Sequence, residues 1–570
     1  MLIGLDVGGT FTDAVVLEKG RLLGSHKCRT TYDNLLNGIT EALAGIKEFV
    51  VPEEVERITL STTIITNTLI NHKEEPVDLF IIPGPGMDVR PMLPAKPIIL
   101  AGYTDHRGAL VRTISERAVQ QAMEEALKKD DNQADATGAN HNVSAQPGNR
   151  KAAVSGKFSV RNPDLEQFVG RSLRDAGYEV VSEGARLSGT LNFPRRTVSA
   201  YFNSAVSSVF KEFAKAVSDA VAGYHRGAPI YILKADGGAL PLEAMIHRPV
   251  ETVFTGPAAS VLGIAALHDM PEEMTVALDM GGTTTDISLW RGKEPLMARG
   301  GATIREYPSA VRSFAVKSVG VGGETRVYIE NGSLHVGPMR IGPSLALGGA
   351  KPTLGDVLIV LGKASYGDTA KSLAGFEQLG HELGLTAEAV AKSAVALAVK
   401  AVEAGIEKAI EEENRLPIYV VADIVNPHKF TVQHIVGVGG TAGALTPFVA
   451  DAMGLPYTIP EDGAVANAIG AAVAKETLEI TVHVDTAKNT LVVPELGIHD
   501  KAKGLHSLAQ AEAFAKACIK KAATDLKLDE PERCEIIQSE DVPIIEGWQS
   551  MHHLITVRAQ RPAGVKWYVK

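Results

Sequence analysis

Ile3-Gly4-Leu5-Asp6-Val7-Gly8-Gly9-Thr10-Phe11-Thr12-Asp13 recurs later in the chain as Val276-Ala277-Leu278-Asp279-Met280-Gly281-Gly282-Thr283-Thr284-Thr285-Asp286. Each copy is an apolar run ending in Asp, then Gly-Gly-Thr, one spacer, Thr-Asp and a second apolar run. The apolar runs predict buried strands. The Gly pair predicts a tight hairpin turn at low steric cost. With no Cβ in the way, backbone N–H groups and Thr hydroxyls can approach phosphate oxygens closely. The Asp at the strand end is a hard oxygen donor, suited to Mg²⁺ through water. A single copy would read as an ordinary hairpin with a Gly-rich turn. Two copies that agree at Asp, Gly, Gly, Thr, Thr and Asp point to two related half-domains clamping one nucleotide.

A chain of 570 residues exceeds what one core accommodates, so two to four domains are expected. A hydrophobic content of 45% with 22% charged residues describes a soluble globular protein. The net charge of −10 argues against nucleic acid or an anionic membrane as the main partner. Cys28, Cys518 and Cys534 form no CxxC pair, which argues against a disulfide framework or a Cys-based zinc site. A strand beginning at Leu2 leaves no room for a signal peptide, and no apolar run reaches membrane-spanning length. The expected compartment is the cytoplasm.

Between and beyond the two copies, the pattern predicts further elements. The spacing of apolar residues gives an amphipathic helix over Asp33–Ile46 with Asp33 as N-cap. Strands are expected at Glu56–Leu60 and Val77–Ile82. Thr113-Ile-Ser-Glu116 reads as a capping box opening a helix through Lys129. Asp130–Arg150 is poor in large aliphatic residues and reads as a surface loop. One long helix is expected over Thr197–Tyr224, an Ala-rich helix over Thr386–Glu413 and a strand over Thr431–Val438. From about Glu479, strands at Thr481–Asp485, Asn489–Val493 and His553–Gln560 with a helix at Leu508–Leu526 describe an α+β tail.

The duplicated stretch resembles the phosphate-1 and phosphate-2 motifs of the ATPase superfamily shared by actin, sugar kinases and heat-shock chaperone ATPases. Gly439-Gly440-Thr441-Ala442-Gly443-Ala444 resembles that superfamily's adenosine motif, and Ala466-Asn467-Ala-Ile-Gly470 its second connecting helix. Ser61-Thr62-Thr63 through Asn67, Arg161-Asn162-Pro163 and Thr255-Gly256-Pro257 are similar to stretches of the hydantoinase/oxoprolinase family. Val319-Gly320-Val-Gly322-Gly323-Glu324 resembles a Gly-rich loop of that family, which usually has Ser or Gly where Glu324 stands. The ordered set, over roughly residues 2 to 475, resembles the ATP-using subunit of these enzymes.

That resemblance implies an α/β fold: duplicated ribonuclease-H-like (actin-like ATPase) half-domains with an inserted α/β subdomain and a C-terminal α+β domain. The expected divisions are 1–75 for the N-terminal part of the first half and 76–195 for the insertion. They continue with 196–478 for the long helix and second half, and 479–570 for the C-terminal domain. It implies an enzyme that phosphorylates the carbonyl oxygen of a cyclic amide of hydantoin, oxoproline or lactam type to drive ring opening. It further implies ATP and Mg²⁺, a second, B-type hydrolase subunit and an oligomeric assembly. A small-molecule kinase and an ATP-driven activator of a partner enzyme are the alternatives.

By the same resemblance, Asp6 and Asp279 hold Mg²⁺ and belong to the catalytic set. Gly8, Gly9, Thr10, Thr12, Gly281, Gly282, Thr283 and Thr285 face phosphates, and Gly439, Gly440 and Gly443 hold the nucleoside. Asp13 and Asp286 either orient Mg²⁺ waters and Thr hydroxyls or cap the hairpins. Thr62, Thr63 and Asn67 are candidate substrate contacts, with helix capping as the plainer reading. Asp105 and His106 form a polar loop cluster that either meets substrate or metal or is simply solvated. His434, in an apolar strand, reads as a satisfied core histidine.

Overall fold

The computed structural model describes residues 1–30, 35–137, 150–224, 227–340, 342–416, 429–546 and 550–570. The first motif builds β1 (Leu2–Val7) and β2 (Phe11–Glu18), and a turn at Lys19-Gly20, both with positive φ, leads to β3 (Arg21–Arg29). These three strands form an antiparallel meander. β4 (Arg57–Thr62) adds in parallel on the other side of β1 and leads to the short helix α1 (Ile64–Ile70). With Ile230–Leu233 and Ala239–Pro241 outside β4, this makes a six-stranded sheet. β1 and β4 are buried along their whole length, as central strands covered on both faces must be.

Between β4 and the strand at Ile230, the chain forms a wholly parallel four-stranded sheet. Its order is Val180–Glu183, Lys151–Gly156, Asp78–Ile82 and Ile98–Ile99. The second copy of the motif follows α2 (Thr255–Leu267) and builds β5 (Met274–Met280) and β6 (Thr285–Arg291). β7 (Val316–Val319) lies antiparallel beside β6, and β8 (His434–Val438) parallel beside β5. β8 runs into α3 (Ala442–Met453), and α4 (Ala466–Val473) follows. The two hairpins therefore sit in equivalent sheets, each with a parallel strand beside its first member.

α2 and α4 cross beneath the two sheets, and their contact requires glycine. A Cβ on Gly470 would overlap the Ala259 carbonyl oxygen, one on Gly263 the Ala466 carbonyl oxygen, and one on Gly4 of β1 the Ala468 carbonyl oxygen. Backbone thus packs on backbone, and this closeness sets how near the two hairpins come.

The C-terminal region is a five-stranded antiparallel sheet with the helix Leu508–Asp525 across one face. Its strand order is Ile498–Lys501, Thr490–Val493, Leu478–Asp485, Ser550–Arg561 and Glu535–Glu546. It is joined to the first sheet through Glu476, which is 2% exposed. That carboxylate lies 2.5 Å from Arg57 of β4, 3.5 Å from Arg561 and 3.6 Å from Lys566.

Several elements differ from their sequence reading. The helix expected over Thr197–Tyr224 is two helices, Phe193–Ala205 and Ser207–Tyr224, the first capped by the Asn192 side chain. Ser115 rather than Thr113 caps the helix that starts at Glu116, since its Oγ accepts from the Ala118 N–H. That helix runs to Thr137, so residues 130–137 of the expected surface loop are helical, and 138–149 lie outside the described residues. Arg150, at the end of that stretch, is tied to Asp78 by two hydrogen bonds of 2.8 Å. The expected cap Asp33 lies outside the described residues, and the helix begins at Leu35.

The helix crossing makes a direct prediction. Gly470→Ala should lower the free energy of unfolding by about 1–3 kcal/mol through overpacking. Gly223→Ala, in the helix Ser207–Tyr224 with no atom near its Cβ position, should leave stability unchanged or slightly higher. Urea unfolding of both variants checks this, and equal midpoints would show that the crossing relaxes without cost.

Candidate functional site

The two hairpins superimpose bond for bond in their pairing. Asp6 is directly opposite Asp13, and Asp279 directly opposite Asp286. Each turn closes with the same hydrogen bond, Gly8 N–H to Phe11 O at 3.1 Å and Gly281 N–H to Thr284 O at 3.0 Å. Residues opposite one another share a sheet face, so each half carries a polar row. In the first it runs Ser61, Asp6, Asp13, Lys27 across β4, β1, β2 and β3. In the second it runs Asp279, Asp286, Ser318 across β5, β6 and β7, with the apolar Val438 of β8 where the first has Ser61.

These side chains are fixed by local bonds. Ser61 Oγ donates to Asp6 Oδ1. Lys27 Nζ lies 2.7 Å from both carboxylate oxygens of Asp13. Ser318 Oγ donates to Asp286 at 2.5 Å. Asn467, in the first turn of α4, and Ser260 of α2 hydrogen-bond Asp279. Burial pushes the Asp6 carboxyl up to about 7, and the charges of Asp13 and Asp279 add to the shift. Burial likewise pushes Asp279 to about 7, with the charge of Asp286 adding to it. Asp13 and Asp286 are raised by burial too. Each hairpin thus carries a buried pair of carboxyls, and the charge of Asp279 in the second bears on Asp6 in the first.

The loops around them interlock. A Cβ on Gly282 would lie 3.7 Å from Thr10 Oγ1 of the first turn and 3.7 Å from the Glu324 side chain. Gly323 and Glu324 N–H groups donate to Gly281 and Gly282 carbonyls at 3.0 and 2.6 Å. Thr441 Oγ1 donates to Met280 O at 2.9 Å, and a Cβ on Gly439 would fall 2.6 Å from Asp279 Oδ1. At Gly440 and Gly443 a Cβ would meet no atom within 4 Å, so they border open space. Acidic strand ends beside glycine turns suit a polyphosphate that brings its own divalent cation; among the described residues, no group of three His, Cys, Asp or Glu side chains is placed to hold a metal alone.

Not all candidate residues face that space. Thr12 is 1% exposed, with Oγ1 against Thr30 Oγ1 at 3.1 Å, and Thr285 is fully buried with Oγ1 donating to Val321 O at 2.8 Å. Both pin their hairpins from the face opposite the carboxylates. Thr62 is fully buried; its N–H donates to Thr255 Oγ1, and its own Oγ1 accepts from Ile64 N–H. Thr63 and Asn67 are joined by Asn67 Nδ2 donating to Thr63 Oγ1 at 3.3 Å, on the first turns of α1. Thr63 also lies 3.6 Å from the Cβ position of Gly256 at the start of α2. Asp105 accepts from the Arg107 and Ala109 N–H groups, and Arg107 pairs with Asp485, so that cluster joins the C-terminal sheet. His434 Nε2 meets Thr458 Oγ1 at 2.9 Å. Lys27, Ser260 and Ser318 were absent from the sequence reading. Their only signal is strand register or helix position, which single-sequence periodicity does not contain.

The raised carboxyls set a pH dependence. In the unfolded chain Asp279 titrates near 3.8, in the folded protein near 7. Between those values the folded state binds more protons, so this group's contribution to stability falls as pH rises through the window. Asp279→Asn should therefore be more stable than the wild type at pH 8, by at least about 1 kcal/mol, with the difference shrinking towards pH 5. Thermal unfolding across that range checks it; a constant difference would mean the carboxyl is ionised in the empty protein.

Comparison with known proteins rests on the same elements. The caprolactamase subunit alpha of Pseudomonas jessenii is 24% identical over 502 residues, covering 79% of this chain and 67% of that one. The 5-oxoprolinase of Saccharomyces cerevisiae is 22% identical over 325 residues, covering 54% of this chain and 25% of that one. The chain thus spans from a quarter to two thirds of the length of these two relatives. A nucleotide-free structure of acetone carboxylase shares the fold, with a TM-score of 0.68 at 16% identity over 99% of this chain and 87% of that one. A family model for hydantoinase/oxoprolinase matches residues 196–480, across the second hairpin, α2 and α4, and one for the N-terminal region of the same family matches residues 2–177, across the first hairpin. The chain belongs to the hydantoinase/oxoprolinase family.

Proposed function

We propose that this chain uses ATP to phosphorylate the carbonyl oxygen of a cyclic amide and so drives ring opening. The observation that supports it above all others is the pair of register-matched hairpins, each carrying a buried pair of carboxyls beside a glycine turn. Relatives named caprolactamase subunit alpha and 5-oxoprolinase fit the same chemistry. An amide carbonyl resists attack because its oxygen is a poor leaving group. When the terminal phosphoryl of ATP passes to it, the bond to the β-phosphate oxygen breaks, a bond to the carbonyl oxygen forms and ADP departs. Water then adds to the activated carbon and the ring C–N bond breaks, leaving an acyl phosphate; attack of a second water on that carbon expels the original carbonyl oxygen as phosphate.

In this reading the protein contributes position and charge. Asp6 and Asp279 would hold Mg²⁺, which when bound neutralises phosphate charge. Asp13 and Asp286 would orient its waters or the Thr hydroxyls, or cap the hairpins. Gly8, Gly9, Thr10, Gly281, Gly282 and Thr283 present the turns to the phosphates, while Gly439, Gly440 and Gly443 border the nucleoside. Thr12 and Thr285 act through the hairpins they pin. Thr63 and Asn67, on the first turns of α1, would contact the amide, and Thr62 holds them against α2. The name subunit alpha, carried by one relative, supports a second, hydrolysing subunit. We infer 1–75, 76–195, 196–478 and 479–570 as the divisions of the chain, and an oligomeric assembly working in the cytoplasm. Among the described residues, no helix is long and apolar enough to cross a membrane.

Two measurements test this. Calorimetry with Mg·ATP should show binding to the wild type and affinity weakened by at least about tenfold in Asp279→Ala; equal affinity would remove Asp279 from the site. With ¹⁸O in the carbonyl of a lactam substrate and the companion subunit present, the label should appear in released inorganic phosphate. Unlabelled phosphate accompanying ring opening would overturn carbonyl phosphorylation. A stable phosphorylated product would point to a kinase instead.

A further inference from the structure

The two polar rows match at the carboxylates and differ at the outer end. Where the second row has Ser318, the first has Lys27. Asp286 is satisfied by the neutral Ser318 hydroxyl, so a strand-end carboxylate of this hairpin does not need a cation in order to fold. Lys27 is nevertheless built in with care. Its Nζ lies 2.7 Å from both oxygens of Asp13 and 5.2 Å from the centroid of Phe11, the spacer residue of the first turn. Its side chain keeps 39% of its surface exposed, so an ammonium with three donors is held in place without being closed off. Its charge also favours the ionised forms of Asp6 and of Asp279 in the opposite hairpin, which places its influence over the meeting point of both halves.

The placement of the glycine loops orients the nucleotide. The Gly439–Gly443 turn abuts Asp279 and the second hairpin, so the nucleoside end belongs to the second half. Thr10 of the first turn faces Gly282 of the second across the gap. A triphosphate seated from the second half therefore carries its terminal phosphate towards the first hairpin, where Lys27 stands and Ser318 does not.

We propose that Lys27 is a catalytic residue whose ammonium contacts the terminal phosphate of ATP and stabilises the charge on the phosphoryl group as it passes to the acceptor. This rests on the nucleotide reading given above. No proton leaves Lys27: its N–H groups donate to phosphoryl oxygens while the bond to the β-phosphate oxygen breaks and the bond to the acceptor oxygen forms. Asp13 then acts as its tether, and the asymmetry of the two rows distinguishes the transferring end of the site from the holding end.

Calorimetry on the full chain with Mg·ADP and with the non-hydrolysable Mg·AMPPNP separates this from a structural role. Lys27→Met should lose about ten- to a hundredfold in affinity for Mg·AMPPNP, the worth of a charge-assisted hydrogen bond, and keep its affinity for Mg·ADP. Lys27→Arg should recover part of the loss. If Lys27→Met does not fold, Lys27→Gln, which retains a donor for Asp13, is read in the same way. Equal losses for the two nucleotides, or no loss for either, would make Lys27 only the partner of Asp13 and overturn the proposal. Wild-type protein that binds neither nucleotide would overturn the nucleotide reading itself, and this proposal with it. Binding of both by the wild type with no split in the variants overturns the role of Lys27 alone.

Discussion

The contact on which the rest of this structure depends is backbone against backbone where α2 crosses α4. Gly263 and Gly470 allow each helix to touch a carbonyl of the other, and Gly4 brings β1 onto α4 in the same way. Side chains at these positions would push the sheets apart. The carboxylates at the ends of β1 and β5 would then no longer influence each other as Asp6 and Asp279 do.

That arrangement stores unfavourable electrostatics. Buried like charges raise one another's proton affinity, and desolvation adds to the effect. Ser61, Ser260, Asn467 and Ser318 offset part of this by hydrogen bonding, and Lys27 is the ion-pair partner of Asp13. Carboxyls held this far from their ordinary range are the feature on which the nucleotide-site proposal rests. The Gly320–Glu324 loop, laid along the second turn by two backbone hydrogen bonds, adds a fifth carboxylate at the edge.

The peripheral regions are attached by a different principle. The C-terminal sheet is fastened by charge, through Glu476 and its basic neighbours, and by Arg107 with Asp485 from the other side. Buried ion pairs are weak evidence of net stability, since their desolvation cost is large. The arrangement fixes how the tail sits on the first sheet while leaving the hairpins untouched.

The duplicated Asp-x-Gly-Gly-Thr hairpins, their strand character and the small-residue helices were legible in the residues, because each is a local pattern: an apolar run, a Gly-rich turn, a stretch without bulky side chains. The break at Val206, the shift of the cap from Thr113 to Ser115 and the continuation of a helix into residues read as a loop were not. Local propensity there is nearly balanced and packing decides. The candidate site divides along the same line. Asp6, Asp13, Asp279 and Asp286 could be picked from the sequence because they sit inside the repeat. That Thr12, Thr62 and Thr285 are buried pins, and that Lys27 and Ser318 complete the two rows, was decided only by the tertiary structure. Register between strands far apart in the chain, and the face each side chain takes, come from pairing and burial, which no local pattern records.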